Sequence, residues 1–599
     1  MMMYDTAETI AETGLPLAQL SAEARRTLAQ QITGQFSAWK TQRSGLERTW
    51  QQCWDAYLCN AEGLYSPQHL RQPDRAKVVR PVLFECVESI HAHLMNSLFP
   101  SNEPFFSVRP LKHGFSQTRS RSEAHAPEPL GEESVLASSK HIESLMREQL
   151  ERMRFREQFA LFLKQAIVTG NSVAALPWIR DVQTIKQRKL KTLLGVPIGE
   201  ALCDCEHVTR EGAGFEVLDM ADVVFDPTAG STHEAKVIRR SRSALSALLS
   251  SGLYPLLEAL SADELQTLAK GEAKSVALSP HQKLLGQTVS EAADAPTFTI
   301  LEAWGDFEVD GELHKNYVAT VLQAKNGGES RLIRLEPNPY HHGRVPFVLG
   351  TYTPVPGELY GLSPIEKCLG LQHAVNTLTN QKLDVINVSI NNPFTYLIND
   401  DVFDPDTVVT APGALIPVKS HDTLRPIQYL NNFTVAFTEI ADLKQEVEET
   451  TGVHKLMKGA SESGSAGSLV QAKSATEVSA MIAGGAQKFG NVIAHLESSV
   501  LAPYLQTVLS LMRQFMPLGA LEMLNAPCAF EVTGSYAAMT QQKELDGLLG
   551  FAKLIQADAQ LRERVDVTEV YRRIYRRLGL GDESGVFLEG TAVLTEERR

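Results

Sequence analysis

The chain has 599 residues and a formal net charge of −14, and 43% of its residues are hydrophobic. Single hydrophobic cores stop growing at about 250–300 residues, so this length predicts more than one packed region, and the composition is that of a folded protein rather than a disordered one. The excess of acidic residues argues against a protein that grips DNA of any sequence, because such binding needs a surplus of lysine and arginine.

Cysteine usage and hydrophobic patterning bear on the cellular compartment. The seven cysteines are an odd number scattered along the chain, which favours reduced thiols in the cytosol over a disulfide framework: Cys53, Cys59, Cys86, Cys203, Cys205, Cys368 and Cys528. The N-terminus has no basic region followed by an apolar core, and no run of about 18 apolar residues occurs. We therefore expect a protein that is neither exported nor membrane-spanning by its own signals.

The first part of the chain is predicted to be mainly helical. Apolar residues recur at spacings of three and four over 17–62 and again over Val78–Leu98. A short strand is predicted at Phe105–Pro110, after which residues 111–132 lack periodicity and are expected to form a mobile surface insertion.

A long helix is then predicted from Glu133 to Ile167, with Gly170 near its C-terminal stop. Beyond it, residues 235–287 look helical and polar. Alternation of apolar and polar residues predicts short strands at Ser172–Ile179, Phe215–Phe225, Thr297–Val309, Asn316–Leu322 and Arg331–Leu335. This half of the chain is therefore expected to be α+β.

Two long helices are predicted in the second half. The first has a strong start, with Ser363 as the cap, Pro364 in the first turn and Glu366 three residues after the cap. If it continues to Asn391 it is roughly 43 Å long at about 1.5 Å per residue. The second helix returns over 433–453, after a short β-like segment at 394–430.

A Ser/Gly-rich loop follows, because the composition of Lys455–Gly467 cannot hold a fixed packed conformation on its own. A further helix is predicted from Ala475 to Met516, with interruptions at Gly484-Gly485, Gly490 and Pro503. A strand at Cys528–Thr533 and a helical stretch over 540–580 complete the pattern.

Several residue clusters invite a metal or catalytic interpretation. Cys203-Asp204-Cys205-Glu206-His207 has zinc ligands but no second ligand pair, so a strand or loop with ordinary thiols is favoured. His341-His342 and the pair His91 and His93 lack companion ligands, and Asp400–Asp406 lacks the glycine and terminal glutamate of an EF-hand. A phosphate-binding loop, a His-Glu-x-x-His motif and a Gly-x-Ser-x-Gly motif do not occur. We predict no metal, no cofactor and no catalytic residue.

The order of the parts resembles tailed-bacteriophage portal proteins, in which two stem helices flank a clip and are followed by a tunnel loop and a tunnel helix. The motifs most similar to those of the podovirus-type head-to-tail connector are Leu359-Tyr360-Gly361-Leu362-Ser363-Pro364-Ile365-Glu366, Glu449-Thr450-Thr451-Gly452-Val453 and Ala475-Thr476-Glu477-Val478. The helix ending at Leu98-Phe99-Pro100, with Pro104-Phe105-Phe106 after it, is similar to the early wing. The resemblance covers roughly residues 30–535.

The resemblance implies a helix-dominated α+β portal fold with wing, stem, clip and crown regions. The expected boundaries are 1–362 for the N-terminal region and wing, 363–391 for the first stem helix, 392–430 for the clip, 431–454 for the second stem helix, 455–474 for the tunnel loop, 475–535 for the kinked tunnel helix and wing return, and 536–599 for the crown and tail.

The resemblance also implies a function. Such proteins form a ring, usually a dodecamer, at one capsid vertex of the virion, and double-stranded DNA passes through the ring during packaging and ejection. The expected partners are other copies of the chain, the terminase large subunit, a tail adaptor, the major capsid and scaffolding proteins, and double-stranded DNA that passes through the channel without sequence specificity. Assembly would take place in the host cytoplasm, without a membrane and without enzymatic activity of the portal itself.

Three groups of charged residues are candidates for contact with DNA. The second long helix carries five acidic residues against Lys444 alone, which suits a channel wall that repels phosphate, although a solvated helix face has the same pattern: Glu439, Asp442, Glu446, Glu448 and Glu449. The resemblance implies that lysines around the loop form rings of positive charge facing DNA: Lys455, Lys458 and Lys473. Arginines at helical spacing suggest a basic crown, or pairing with neighbouring acids: Arg572, Arg573, Arg576 and Arg577.

The glycine pair Gly484 and Gly485 is predicted to be the hinge of the tunnel helix, since two glycines in mid-helix favour a bend or a close packing contact. Two other functions remain open. Another oligomeric structural or adaptor protein of the virion shares the acidity but does not need two long helices around an insert. A metal-dependent hydrolase is also possible, because paired carboxylates can be distant in sequence.

Overall fold

The computed structural model shows a mixed helix and sheet protein. The residues that it describes are 20–73, 75–99, 105–110, 132–193, 196–228, 236–244, 297–324, 329–390, 394–396, 424–426, 433–453, 488–517, 528–532 and 548–553, with 248–249, 254, 524, 555, 570–571 and 574. The predicted insertion at 111–131, the loop at 455–474 and most of the stretches 250–296 and 533–599 lie outside the described residues.

The helices are as follows: α1 (Ala22–Gln42), α2 (Ser44–Tyr57), α3 (Ala61–Leu64), α4 (Pro67–Arg71), α5 (Val82–Leu98), α6 (Glu132–Arg152), α7 (Phe155–Thr169), α8 (Pro364–Ile390), α9 (Phe433–Thr451) and α10 (Ala502–Phe515). The strands are β1 (Phe106–Pro110), β2 (Asn171–Ala175), β3 (Trp178–Leu193), β4 (Val196–Ala213), β5 (Glu216–Leu218), β6 (Val223–Phe225), β7 (Val237–Ala244), β8 (Thr297–Val309), β9 (Glu312–Leu322), β10 (Arg331–Pro337), β11 (Phe347–Thr351), β12 (Phe394–Tyr396), β13 (Leu424–Pro426) and β14 (Cys528–Val532).

The prediction of one helix over Glu133–Ile167 is wrong, because the chain breaks into α6 and α7. Arg154 adopts a left-handed conformation with φ 53° at the break. The apolar residues on either side of it, Met153 and Phe155, are both buried. A change of direction at Arg154 lets both side chains enter the core, at the cost of a backbone conformation that non-glycine residues rarely adopt. The predicted stop at Gly170 is confirmed, with φ 79°.

Helix α1 packs on an antiparallel five-stranded sheet of order β10-β9-β8-β7-β6. Leu28, Ile32 and Phe36, at helical spacing on α1, join a buried cluster with Leu301 and Val321 of the sheet. Strand β7 corrects the prediction that residues 235–287 are helical, because residues 237–244 form a strand in mid-sheet, whereas residues 248–249 are helical as predicted.

The larger core lies between α5, α7 and α10 and a three-stranded antiparallel sheet of order β11-β2-β5. Its centre is aromatic: Phe155 stacks on Tyr504 with ring centroids 4.5 Å apart, and Phe215 meets both rings edge-on. Strand β1 pairs with β14, more than 400 residues later in the chain, so the C-terminal part returns to the N-terminal part.

Strands β3 and β4 form a long antiparallel hairpin that sequence patterning did not predict. The segment from Cys203 to His207 lies on β4, in agreement with the strand or loop expected there. Lys186 is the register partner of Asp204 in the middle of this hairpin.

Both long helices of the second half are confirmed, as α8 and α9. The short strands β12 and β13, which follow α8 and precede α9, pair antiparallel, which agrees with the β-like segment expected between the helices. The remainder of 392–430 lies outside the described residues.

The helix that ends the core is continuous from residue 488, so Gly490 does not interrupt it as predicted. The irregularity is instead a π-helical turn at Glu497–Leu501, directly before Pro503. Proline has no backbone N–H and its ring clashes with the carbonyl four residues earlier, and the wider π turn relieves both problems. The hydroxyl groups of Ser498 and Ser499 donate to the carbonyl oxygen of His495.

Candidate functional site

The acidic residues of α9 lie mainly on one side of that helix. Its buried stripe consists of Ile440, Val447 and Thr451, at spacings of seven and four. At about 100° per residue, four of the acids fall within an arc of about 80° whose centre is about 140° around the helix from this stripe. These four, Glu439, Asp442, Glu446 and Glu449, are all exposed.

Glu448 lies elsewhere on α9. The same helical geometry places it about 140° from the centre of the other four acids, and it is half-buried. The exposed acidic surface of α9, which we call the acidic face, is therefore defined by Glu439, Asp442, Glu446 and Glu449.

Helix α9 is fixed to the rest of the protein along its length. Near its start, Lys382 of α8 lies over the ring of Phe437, with Nζ 4.2 Å from the ring centroid. At its end, Gly452 has φ 76° and Lys488 Nζ donates to the carbonyl oxygen of Glu449 at 2.9 Å. A cation at a helix C-terminus is favoured by the helix dipole. The acidic face thus belongs to a helix held at both ends.

The start of α8 is set by a buried polar junction. Ser363 Oγ accepts from the backbone N–H of Ile365 at 3.0 Å and donates to the carbonyl oxygen of Ile167 at 2.8 Å, so the predicted cap is confirmed. The side chain of Asn171 makes two hydrogen bonds with the backbone of Gly361, of 2.7 Å and 3.0 Å. These bonds connect the end of α7 to the start of α8.

A row of polar side chains on α8 holds the chain that leads into α5. This segment, called the strap below, is non-helical over residues 75–81 and ends with Val82 and Leu83, the first two residues of α5. The row is spaced at four residues and runs along one side of the helix: Gln372, Asn376, Asn380 and Asp384. Because residues at that spacing lie on the same side of a helix, the row presents a hydrogen-bonding group at nearly every turn.

Each member of the row binds the strap backbone. Asp384 accepts from the N–H of Ala76 at 2.7 Å, Asn380 from that of Val78 at 2.9 Å, Asn376 from that of Arg80 at 2.9 Å and Gln372 from that of Leu83 at 3.3 Å. Asn380 also donates to the hydroxyl of Tyr65 at 2.7 Å. The strap therefore runs antiparallel to α8 over four contacts.

The row was not identified from the sequence. Its i, i+4 spacing was a usable signal, but such a polar stripe on a predicted helix normally indicates a solvated face. The partner lies about 300 positions earlier in the chain, in a segment that was predicted to be helical from Val78 onward, whereas the helix begins at Val82. Asn376 and Asn380 are 1% and 3% exposed, which a solvated face would not be.

The remaining candidates for DNA contact lie outside the described residues. These are Lys455, Lys458 and Lys473, the glycines Gly484 and Gly485, and the arginines Arg572, Arg573, Arg576 and Arg577. Of the predicted functional features, the structure therefore describes only the two long helices and the acidic face of α9.

One carboxyl group in the core was also missed by sequence reasoning. Oε1 of Glu497, in the π turn, is buried and has no hydrogen-bond partner among the described residues. Burial raises the pKa of Glu497 to about 7. No sequence pattern marks this residue, because its environment depends on the π turn.

The histidines considered as ligands are held by separate structural contacts. A ring nitrogen of His91 lies 2.9 Å from the carbonyl oxygen of Ala160, while His93 packs on the ring of Phe489. Within the described ranges, no group of three or more His, Cys, Asp and Glu residues is arranged to hold a metal ion. A helix long and apolar enough to cross a bilayer is likewise absent from the part of the chain that the structure describes.

One cavity among the described residues has a structural rather than a reactive lining. It has a volume of about 590 Å³ and lies beside the junction of α1 and α2. Arg43, in its wall, donates to the carbonyl oxygens of Val223 and Met220 and to the carboxylate of Glu47. Its guanidinium group also lies near the ring of Tyr360. Arg43 therefore ties the helices to the adjoining sheet.

Comparison with known families decides between the possible functions. Residues 148–542 match the family model described as the phage SU10 portal protein, a span that includes α8, α9 and the acidic face. Residues 29–204 match the model described as the bacteriophage head to tail connecting protein. The chain belongs to the phage SU10 portal protein family.

The family gives the portal protein its general role. It is a component of the virion of a tailed bacteriophage, located at the capsid vertex, where an oligomeric ring joins capsid and tail. At the level of the family the role is structural and not enzymatic. The resemblance detected in the sequence is confirmed, and the two matches together extend beyond the residues that carried it.

Proposed function

We propose that copies of this chain form a closed ring around an axial channel, with the acidic face of α9 lining the channel. The observation that carries this proposal is the exposed acidic face on a helix fixed at both ends. Copied around a ring, each carboxylate becomes a belt of negative charge. Such a wall repels phosphate and lets DNA move without adhering.

The remaining regions are assigned functions on the same basis. Helices α8 and α9 form the stem, and 392–430 forms the clip that docks the terminase large subunit and later a tail adaptor. The region 1–362 with 475–535 forms the wing, which contacts the major capsid and scaffolding proteins. Assembly takes place in the host cytoplasm, and the mature ring is a dodecamer.

Contact with DNA is assigned to the tunnel loop and the crown. Lys455, Lys458 and Lys473 form belts of positive charge that touch phosphate weakly and resist slippage, because weak contacts gain from repetition around the ring. Gly484 and Gly485 are the hinge of the tunnel helix. The arginines at 572, 573, 576 and 577 form a basic crown that faces packaged DNA.

Electron microscopy of the purified full-length protein tests the proposal. The expected result is a ring with an axial channel, and particle averaging gives the number of subunits. A protein that stays monomeric, or that forms a ring without a channel, would contradict the proposal. A channel whose wall is formed by residues other than those of α9 would overturn the assignment of the acidic face while leaving the ring intact.

A further inference from the structure

The hairpin of β3 and β4 is long. Its strands pair from Trp178 and Ala213 at the base to Leu193 and Val196 at the far end. Sixteen residues of strand span roughly 50 Å at about 3.3 Å per residue. At the base, Trp178 stacks on Phe515 with ring centroids 5.2 Å apart, which fixes the hairpin to the main core.

Each strand of this hairpin has one unpaired edge. Among the described residues the sheet contains β3 and β4 alone. A two-stranded ribbon is marginally stable by itself in water, and proteins normally cover or pair long strand edges. The length of the hairpin therefore points to a partner that covers its edges.

The two strands carry opposite charges. Over residues 183–193, β3 has four basic residues and no acidic one: Lys186, Arg188, Lys189 and Lys191. Over residues 196–206, β4 has three acidic residues and no basic one: Glu200, Asp204 and Glu206. One edge of the ribbon is thus a basic strand and the other an acidic strand. A surface of this kind complements a second copy of itself placed side by side.

We propose that the β3 edge of one copy pairs with the β4 edge of the next copy around the ring. This proposal rests on the ring of the proposed function and names one of its interfaces. If every hairpin points the same way along the ring axis, β4 of one copy runs antiparallel to β3 of the next, as within the hairpin itself. The contact is head-to-tail, so it closes when the ring closes and leaves no free edge.

Two charge-reversed variants test this contact by mixing. In the first, Glu replaces all four basic residues of β3 over 183–193, Lys186, Arg188, Lys189 and Lys191, which makes both edges acidic. In the second, Lys replaces all three acidic residues of β4 over 196–206, Glu200, Asp204 and Glu206, which makes both edges basic. Each variant alone should need about a tenfold higher protein concentration to form rings, because like charges face each other between copies. An equimolar mixture should assemble at close to the wild-type concentration, in rings that contain both variants.

The mixture separates contacts between copies from contacts within a hairpin. Within each variant the register pair Lys186 and Asp204 has become two like charges, and mixing does not change that pair. Recovery on mixing can therefore come only from the contact between copies. The matched control is Glu308→Lys with Glu312→Lys, two exposed positions beside the turn between β8 and β9, which should assemble like the wild type.

A shortened hairpin gives a second test if a charge-reversed variant fails to fold. Removing residues 185–205 and closing the strands with Asn-Gly keeps the supported base. This variant should also need about a tenfold higher concentration to form rings. The proposal is overturned if the mixture does not recover assembly, or if the variants assemble like the wild type. Failure of the wild-type protein to form rings would instead overturn the proposed function.

Discussion

At the scale of single residues, the contact between α8 and the strap shows how much depends on a few buried amides. The carbonyl and amino groups of Asn380 are both used, in bonds with the backbone of Val78 and with the hydroxyl of Tyr65. A buried donor left without an acceptor costs free energy because it has lost its bond to water. The row on α8 therefore stabilises the fold through specific bonds rather than through apolar burial.

The variant Asn380→Ala tests this contribution. It leaves the N–H of Val78 without its acceptor and removes the donor to the Tyr65 hydroxyl, which keeps its own bond to the carbonyl oxygen of Val78. The free energy of unfolding should therefore fall by about 1–3 kcal/mol. Chemical denaturation at a fixed protein concentration measures the change, since an oligomer is stabilised by mass action.

Gln381→Ala is the matched control, because Gln381 is the next residue on α8 and is exposed. Its effect should remain within about 0.5 kcal/mol of the wild type. An equal loss of stability in both variants would mean that the strap bonds contribute nothing specific.

The limits of sequence reasoning are clearest at this scale. The cap at Ser363 was predictable because the residues that form it are neighbours in the chain. The bonds of Asn380 were not, since its partners lie about 300 residues away and an asparagine on a helix carries no mark of what it binds. The unpartnered carboxyl of Glu497 was also missed, because its environment depends on the π turn.

At the scale of elements, the helix containing the π turn couples stability to pH. Glu497 has its pKa raised to about 7 by burial, whereas an unfolded glutamate titrates near about 4.3. Between these two values the unfolded state loses its proton first. The free energy of unfolding should therefore fall as the pH rises from about 4.5 to about 7, and this contribution then levels off.

Glu497→Gln should remove this dependence, because glutamine does not ionise. At pH 8 the variant should be more stable than the wild type by up to about 3 kcal/mol, and at pH 4 the difference should be small. Denaturation of both proteins at the two pH values checks it. The prediction is contradicted if the difference in the free energy of unfolding between the wild type and the variant is the same at both pH values.

The acidic face gives a second prediction for an element. Replacing Glu439, Asp442, Glu446 and Glu449 by their amides removes four exposed charges from α9. The free energy of unfolding should change little, because exposed positions away from special features contribute about 0.5 kcal/mol or less each. DNA translocation during packaging should slow, since the wall no longer repels phosphate.

An in vitro packaging assay measures the amount of DNA protected per capsid against time. Neutralising Glu308, Asp310 and Glu312, acids on the β8–β9 hairpin, provides the control and should leave the rate unchanged. Normal packaging by the α9 variant would show that the acidic face does not line the path of DNA.

The long elements differ in how well they could be predicted from the sequence. Helices α8 and α9 were predicted nearly to their ends, because Ser363 and Pro364 mark the start of one and a Thr-Gly turn marks the end of the other. The hairpin of β3 and β4 was missed, since its outer strands are dense in charge and lack the alternation that predicts a half-buried strand. The break at Arg154 was missed because no glycine or proline occurs there.

At the scale of the whole molecule, the described residues form two large cores, beside a small third cluster that includes Phe298 and Ile333. Helix α1 and the five-stranded sheet form one, and the remaining helices with the three-stranded sheet form the other. The length of the chain predicted more than one packed region, but which elements join each region depends on pairings such as β1 with β14. The ring follows from the family match, because it is formed by many copies and the structure of a single chain does not contain it.

The tunnel-loop lysines make a prediction for the assembled ring. Lys455→Ala with Lys458→Ala should leave ring formation intact, because the change removes charge from a loop rich in serine and glycine. Packaging or retention of DNA should fall, since each substitution removes a whole belt of weak phosphate contacts.

Retention is measured as the fraction of packaged DNA that remains protected after the motor is stopped. The wild-type ring and the variant Lys315→Ala, a change on β9, serve as references. If the double variant retains as much DNA as these two, the lysines do not make the contact.

The contact between α8 and the strap also fixes the position of α8 along its own axis. From Ala76 to Arg80, every two residues of extended chain advance about 6.6 Å, while four residues of helix advance about 6.0 Å, so the two repeats stay in phase for only a few steps. The last step, from Arg80 to Leu83, takes three residues because Pro81 has no N–H and α5 begins at Val82. Beyond the ends of the row stand Cys368 and Val388, which are poor partners for a backbone N–H. A slip by one turn therefore loses a bond at one end, and a single axial position of α8 satisfies all four. In a ring, every copy has the same contact, so the far ends of the long helices lie at the same height along the ring axis.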